Sequence, residues 1–168
     1  MRLIYLKPEL RDLSQGARLA FVRQFRFMTQ DDVASKLGLN GESKRKVMTR
    51  YEKGGRTPKK ERVIELAKMF NVSPNAIKHY TFNDPIDIIY TLLWMEELIP
   101  NFKIDTSKFP NLNYGNNTLL KNFINEWNIK IAKRKNREIS YEDYIEWKLT
   151  YEVNDYMIKL IETNSYIM

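Results

Sequence analysis

The 168-residue chain contains no cysteine and a single histidine, His79. Disulfides, thiolate zinc sites and a cysteine nucleophile are therefore excluded, and a His-rich metal cluster cannot be built. Any Ser-His-Asp arrangement would depend on His79 alone, and no glycine-rich phosphate loop is available among six glycines. An enzyme is therefore not expected, and neither a catalytic group, a metal site nor a cofactor is assigned. Long apolar runs are also missing. The longest, Ile88 to Met95, falls far short of the ~20 residues that span a bilayer. Met1 to Leu10 carries Arg2, Lys7 and Glu9 and lacks the apolar stretch of a signal peptide, so a cytoplasmic protein with no membrane partner is expected.

What the chain does have is positive charge, distributed unevenly. Lys+Arg total 28 against 21 Asp+Glu, for a net charge of +7. Residues 1–80 hold 18 basic and 8 acidic side chains, whereas 81–168 hold 10 and 13. The densest stretch, Ser43 to Lys60, carries Lys44, Arg45, Lys46, Arg50, Lys53, Arg56, Lys59 and Lys60 against Glu52 alone. Most charge runs are solvated surface, but this density on one short stretch also fits a phosphate-binding footprint.

Apolar periodicity and capping signals predict an all-α chain. After a short leader (1–15), a first helix begins at Gly16. Thr29 caps a second helix, about 30–37, with Asp32 completing a capping box and Gly38 ending it. A third runs to about Lys53, with Val47, Met48 and Tyr51 inward and Lys44, Arg45, Lys46, Thr49 and Arg50 outward. Thr57 and Pro58 are expected to open a fourth, and Ser73-Pro74 a fifth ending at Ile77. The pattern breaks at Asn83-Asp84-Pro85, which sets a boundary between 16–83 and a second helical unit, 84–168. There, Ile86 to Ile99 reads as a buried helix. A loop over 100–117 follows, with a short extended piece at 102–104. An amphipathic helix spans Leu119 to Ile131, Lys133 to Arg137 form a basic connector, and Ser140 caps a last helix continuing through Tyr151, Tyr156 and Leu160. Glu142 and Glu146, spaced i, i+4, are expected on a solvated face.

The second and third helices, joined by a tight turn, have the plan of a helix-turn-helix. Several residues carry a more specific likeness: Arg18-Leu19, Arg23, Thr29 to Ala34, Leu37-Gly38-Leu39, Thr49 to Gly54, Arg56-Thr57-Pro58, Ile64, Leu66-Ala67 and Phe70 to Ser73. Through these, 16–80 resembles the Cro/C1-type (Xre) helix-turn-helix domain of phage repressors and bacterial regulators. The resemblance implies a five-helix, lambda-repressor-like DNA-binding domain. It implies that Gln30 bonds a DNA phosphate, and that Arg23 and Glu52 form a buried structural ion pair. It also places Lys44, Arg45, Lys46, Thr49 and Arg50 toward base edges in the major groove, and Arg56, Lys59 and Lys60 on the DNA backbone. One departure stands out. Between Leu39 and Met48 the chain is about four residues longer than the family spacing, close to one helical turn. An extra turn at the start of the third helix, from near Gly41 or Glu42, is the expected accommodation, and Glu42 is a candidate for cytosine N4 or for the helix N-terminus.

The second unit holds all three tryptophans and most of the tyrosines, suited to a small core or to an interface. It is similar to C-terminal regions attached to Xre-type regulators of low-GC Gram-positive bacteria and their mobile elements. The expected function is a double-stranded-DNA-binding transcriptional regulator, a homodimeric repressor. The alternative is an interaction protein of phage or mobile-element type, anti-CRISPR-like, whose 84–168 unit binds a protein partner while the helix-turn-helix controls its own gene.

Overall fold

The computed structural model describes residues 7–41, 44–99 and 118–152, with side chains from 121 onward in the last segment. It contains eight helices and no strand among them. These are α1 (Gln15–Phe25), α2 (Gln30–Lys36), α3 (Lys44–Glu52), α4 (Lys60–Phe70), α5 (Pro74–Ile77), α6 (Pro85–Leu98), α7 (Thr118–Lys135) and α8 (Tyr141–Thr150). The expected extended piece at 102–104, Glu42, Tyr156 and Leu160 lie outside the described residues.

Local chemistry sets most boundaries. Ser14, Thr29, Ser73, Asp84 and Ser140 each accept a hydrogen bond from a first-turn N–H of the helix that follows. Thr29–Asp32 and Ser140–Asp143 are reciprocal capping boxes, which satisfy two N–H groups each that a helix start would otherwise leave unpaired. Several boundaries differ from the sequence reading. Thr57 does not cap α4. The helix starts at Lys60, after an extended Lys59 that gives no side-chain cap bond, and Pro58 is buried, so packing of the proline outweighs the capping preference. At the other end, α8 stops at Thr150 instead of continuing through Tyr151. Tyr151 is extended and buried, its ring edge-on to Phe123 (5.3 Å) and Trp147 (5.6 Å), and its carbonyl accepts from the Tyr90 hydroxyl. The basic connector is also partly helical, since Lys133 to Lys135 form the last turn of α7.

The helices share one apolar cluster. Leu19, Phe21 and Val22 of α1 meet Val33 and Ala34 of α2, Met48 of α3, Leu66 and Phe70 of α4, and Ala76 and Ile77 of α5. The cluster continues without a break into Ile89, Tyr90, Leu93 and Trp94 of α6, Phe123 and Trp127 of α7, and Ile145 and Leu149 of α8. Phe21 lies edge-on to Trp94 at 5.3 Å, and the Ser73 N–H donates to the Leu149 carbonyl at 2.8 Å. In the leader, Pro8 and Leu10 are buried. Glu146, expected on a solvated face, forms a two-pronged ion pair with Arg26 at 2.7 and 3.0 Å, because the start of α8 lies over the end of α1.

The charged side chains buried among the described residues are partnered. The Arg18 guanidinium is buried. It donates to the carbonyls of Leu13 (3.2 Å), Ala76 (2.8 Å) and Lys78 (2.8 Å) and stacks 3.7 Å from the Tyr80 ring centre. Its planar fork of donors fits three carbonyls at once, which a lysine cannot match. Lys148, also buried, bridges Glu96 (2.5 Å) and Glu97 (2.9 Å). Tyr144 donates to Glu96 at 2.7 Å, and Tyr141 donates to Glu97 at 2.9 Å.

Candidate nucleic-acid interface

The interface is built from α2, the turn after it, α3, and the segment leading into α4. Its frame is the contact between α1 and α3. Gly16 makes that contact close. A Cβ at this position would lie 2.5 Å from the carbonyl oxygens of both Tyr51 and Glu52, so no side chain fits between the two backbones. Met48 is fully buried and Tyr51 nearly so. The opposite face of α3 leaves Arg45, Lys46 and Arg50 exposed, with Lys44 and Thr49 half-buried beside them. The sequence reading put all five on the outward face. Lys44 is turned back toward α2, donating to the Ser35 hydroxyl at 3.0 Å.

The start of α3 differs from the sequence reading. Gly38 and Gly41 adopt φ of +70° and +84°, in the left-handed region that glycine enters without steric cost. Gly41 therefore lies outside the helix, and the Lys44 N–H bonds its carbonyl at 3.2 Å. α3 begins at Lys44 rather than near Gly41, and Glu42 and Ser43 lie outside the described residues.

Arg23 and Glu52 form a close pair. Arg23 Nε and Nη2 donate to the two carboxylate oxygens at 2.6 and 3.0 Å, and its Nη1 donates to the Met28 carbonyl at 2.7 Å. Both side chains are about nine-tenths buried, at 12% and 8% exposed, so removal of either partner would strand a charge in the interior. Gln30, expected at a phosphate, is engaged within the protein. Its Nε2 donates to Glu52 Oε2 at 2.8 Å, and its Oε1 accepts from Thr49 Oγ1 at 2.9 Å and from Arg45 Nε at 3.4 Å. Beneath it, the Thr29 hydroxyl and N–H hold the Asp32 carboxyl below its ordinary range.

After α3, Gly54 at φ +76° turns the chain, and the Arg56 N–H bonds the Arg50 carbonyl at 3.2 Å. Arg56, Lys59 and Lys60 are exposed and make no ion pair with the described residues. They surround the start of α4, which lacks a side-chain cap and presents the positive end of the helix dipole. The arrangement suits anionic oxygen, while the guanidinium and ammonium groups on α3 match the acceptors of base edges. His79 is exposed, and among the described residues no cluster of acidic or histidine side chains could hold a metal. No helix of the described residues is long and apolar enough to cross a membrane.

Two helices joined by a turn, the second with a buried inner stripe and a cationic outer face, define a helix-turn-helix domain. Residues 16–81 match the family described as a helix-turn-helix domain, in agreement with the Cro/C1-type resemblance, and further helices follow it. No curated protein and no solved structure matches the chain. Sequence reasoning missed the tight seat of α3 on Gly16 and the internal bonds of Gln30. The first carries no local signal, because a glycine at a close approach reads like any other helical glycine.

Proposed function

We propose that the chain is a sequence-specific, double-stranded-DNA-binding transcriptional regulator that acts as a homodimeric repressor in the cytoplasm. It is a binding protein rather than an enzyme. The observation that carries this reading is the exposed row Arg45, Lys46 and Arg50 on a helix whose other face is locked to α1 and α2. In this role α3 enters the major groove, where Arg and Lys donate to guanine O6 and N7. Arg56, Lys59 and Lys60 hold the backbone and set register without reading sequence. A dimer would place two such helices about 34 Å apart on half-sites one helical turn apart.

Selection of preferred sites from a random duplex pool, at low and near-physiological salt, tests the reading. A palindromic motif that survives the higher salt is expected. Binding that is sequence-blind and lost with salt would overturn it, and would shift weight to a protein partner for 84–168. Within a selected site, Arg50→Ala should weaken binding by roughly 1–3 kcal/mol and relax preference at one base pair. Lys59→Ala should weaken all sequences alike and reduce the slope of log K against log salt by about one.

A further inference from the structure

The cations at the end of α7 have no part in the function proposed above. Lys133, Arg134 and Lys135 form the last turn of that helix, and Arg137 follows it. All are exposed, and none has an ion pair or a side-chain hydrogen bond among the described residues. Cations in a last turn favour the negative end of a helix dipole, which gives Lys133 to Lys135 a structural role. Arg137 needs another explanation. Its N–H bonds the Arg134 carbonyl at 3.2 Å, and the Glu138 N–H bonds the Lys133 carbonyl at 2.9 Å, so the helix closes in a Schellman turn. This turn holds Arg137 at φ +62°, where glycine is favoured and a side chain is strained. Stability therefore does not explain the arginine, and strain of this kind points to function.

The link from α7 to α8 carries this cationic knob toward the reading side of the molecule. Glu142, five residues after Arg137, lines a groove with Asp143 and Glu146 against Phe25, Arg26 and Phe27. Gln30 lies three residues beyond Phe27, and its amide oxygen accepts from Thr49 of α3 at 2.9 Å. At ~3.6 Å per residue these two steps span at most ~18 and ~11 Å, so the knob stands on the order of one duplex turn, ~34 Å, from the start of α2. Glu142 and Asp143 come between, which makes the knob a surface separate from the row on α3. Residues 132–138 include no large apolar side chain that could anchor a protein partner. Exposed cations without a frame suit phosphates rather than base edges.

We propose that Lys133, Arg134, Lys135 and Arg137 form a second contact to duplex DNA, on the phosphates of the turn flanking the sequence that α3 reads. The proposal rests on the DNA-reading function above and extends it to the 84–168 unit.

The test compares the full chain, a variant combining Lys133→Gln, Arg134→Gln, Lys135→Gln and Arg137→Gln, and the single variant Arg137→Gly. Binding is measured on two duplexes, the selected motif alone and the motif with about 15 bp added on each side, more than one further turn. Wild type should bind the longer duplex more tightly. The combined variant should lose that gain, about tenfold or more at near-physiological salt, with the slope of log K against log salt reduced by about three or more. Its binding to the shorter duplex and its base preferences should match wild type. Arg137→Gly separates fold from function: relief of strain should raise its melting temperature while its binding to the longer duplex weakens. Equal binding of wild type and the combined variant to the longer duplex overturns the proposal and leaves the DNA-reading function standing. Equal losses on both duplexes also overturn it, because the effect is then one of overall charge. If duplex binding is retained and only binding to polyglutamate falls, the knob serves an acidic polypeptide and the proposal is wrong. If wild type selects no motif, the DNA-reading function fails and the inference with it.

Discussion

Gly16→Ala tests how closely α3 is seated on α1. The added Cβ would lie 2.5 Å from two carbonyl oxygens and 2.8 Å from the Glu52 carbonyl carbon. Ordinary carbon–oxygen contacts begin near ~3.3 Å, so the helices must separate by roughly 0.8 Å. No flexible side chain can absorb this, because the atoms met are the backbone of α3. Overpacking of this kind costs about 1–3 kcal/mol. Against it stands the helix preference of alanine over glycine, up to about 1 kcal/mol. The net expectation is a loss of about 1–2 kcal/mol, which for a chain of this size lowers the melting midpoint by roughly 2–8 °C. Gly55→Ala is the control, since its Cβ meets only the Arg50 carbonyl, at an unstrained 3.8 Å. Thermal and urea unfolding of both variants decide the matter, and the sign is the diagnostic. If Gly16→Ala melts at or above wild type, alanine preference has won, and the close approach of α1 and α3 is not a feature of the folded protein.

Two further predictions concern charges away from the interface. Lys148→Met should cost about 3–5 kcal/mol in urea unfolding, because Glu96 and Glu97 keep the Tyr144 and Tyr141 hydroxyls but lose their buried cation, and the exposed Lys7, 3.8 Å from Glu97, is the cation that remains among the described residues. Restoring neutrality with Glu96→Gln and Glu97→Gln in the same chain should recover part of the loss, and no recovery would argue that lost packing dominates. Burial by itself would raise the Asp87 carboxyl, but bonds from Lys78, Thr81 and Phe82 hold it below the ordinary range. Its contribution is thus present above the unfolded value near pH ~4 and disappears as pH falls through the lower folded value. Wild type should lose stability as pH falls below about 5. Asp87→Asn, weaker at neutral pH, should lose less over that interval, and parallel profiles for the two would contradict the assignment.

The legible parts of the fold were those governed by neighbours in sequence. Thr29 with Asp32, Ser73 with Pro74 and Ser140 with Asp143 act within one helical turn, and each marks a boundary found in the structure. The inward stripe of Met48 and Tyr51 follows from helical period alone. Harder to read were features decided by distant partners. Spacing of Glu142 and Glu146 gives only their relation to each other, while the partner of Glu146, Arg26, lies 120 residues away just past the end of α1. Lys148 reads as a surface charge until α6 supplies two carboxylates. The surplus before α3 fits either a helical turn or a longer loop by length. Gly41 is kept out of the helix by its left-handed backbone, which residue spacing does not reveal. At the interface, the cationic residue types were plain, but the bonding that separates Arg45 from Lys46 and Arg50 was not.

The distribution of partners changes what the basic bias of the first half means. Much of the positive charge of α1 and its C-cap is spent within the molecule. Arg18 serves three carbonyls, Arg23 serves Glu52 and Met28, and Arg26 serves Glu146 and the carbonyls of Phe70 and Asn71. These arginines tie α1 to α3, α5 and α8, and with Gly16 they fix where α3 stands. Among the described residues, the cations without an internal anion include Arg45, Lys46, Arg50, Lys53, Arg56, Lys59 and Lys60, along α3 and the start of α4. Net charge therefore overstates the footprint, and its location is the better guide. One set of cations makes the frame rigid, and a separate set, carried on that frame, remains available to nucleic acid. A rigid frame matters because a base-edge contact depends on donor geometry to within a fraction of an ångström, whereas phosphate attraction tolerates misplacement. In the function proposed above, sequence specificity would depend on buried groups such as Glu52 as well as on the exposed row.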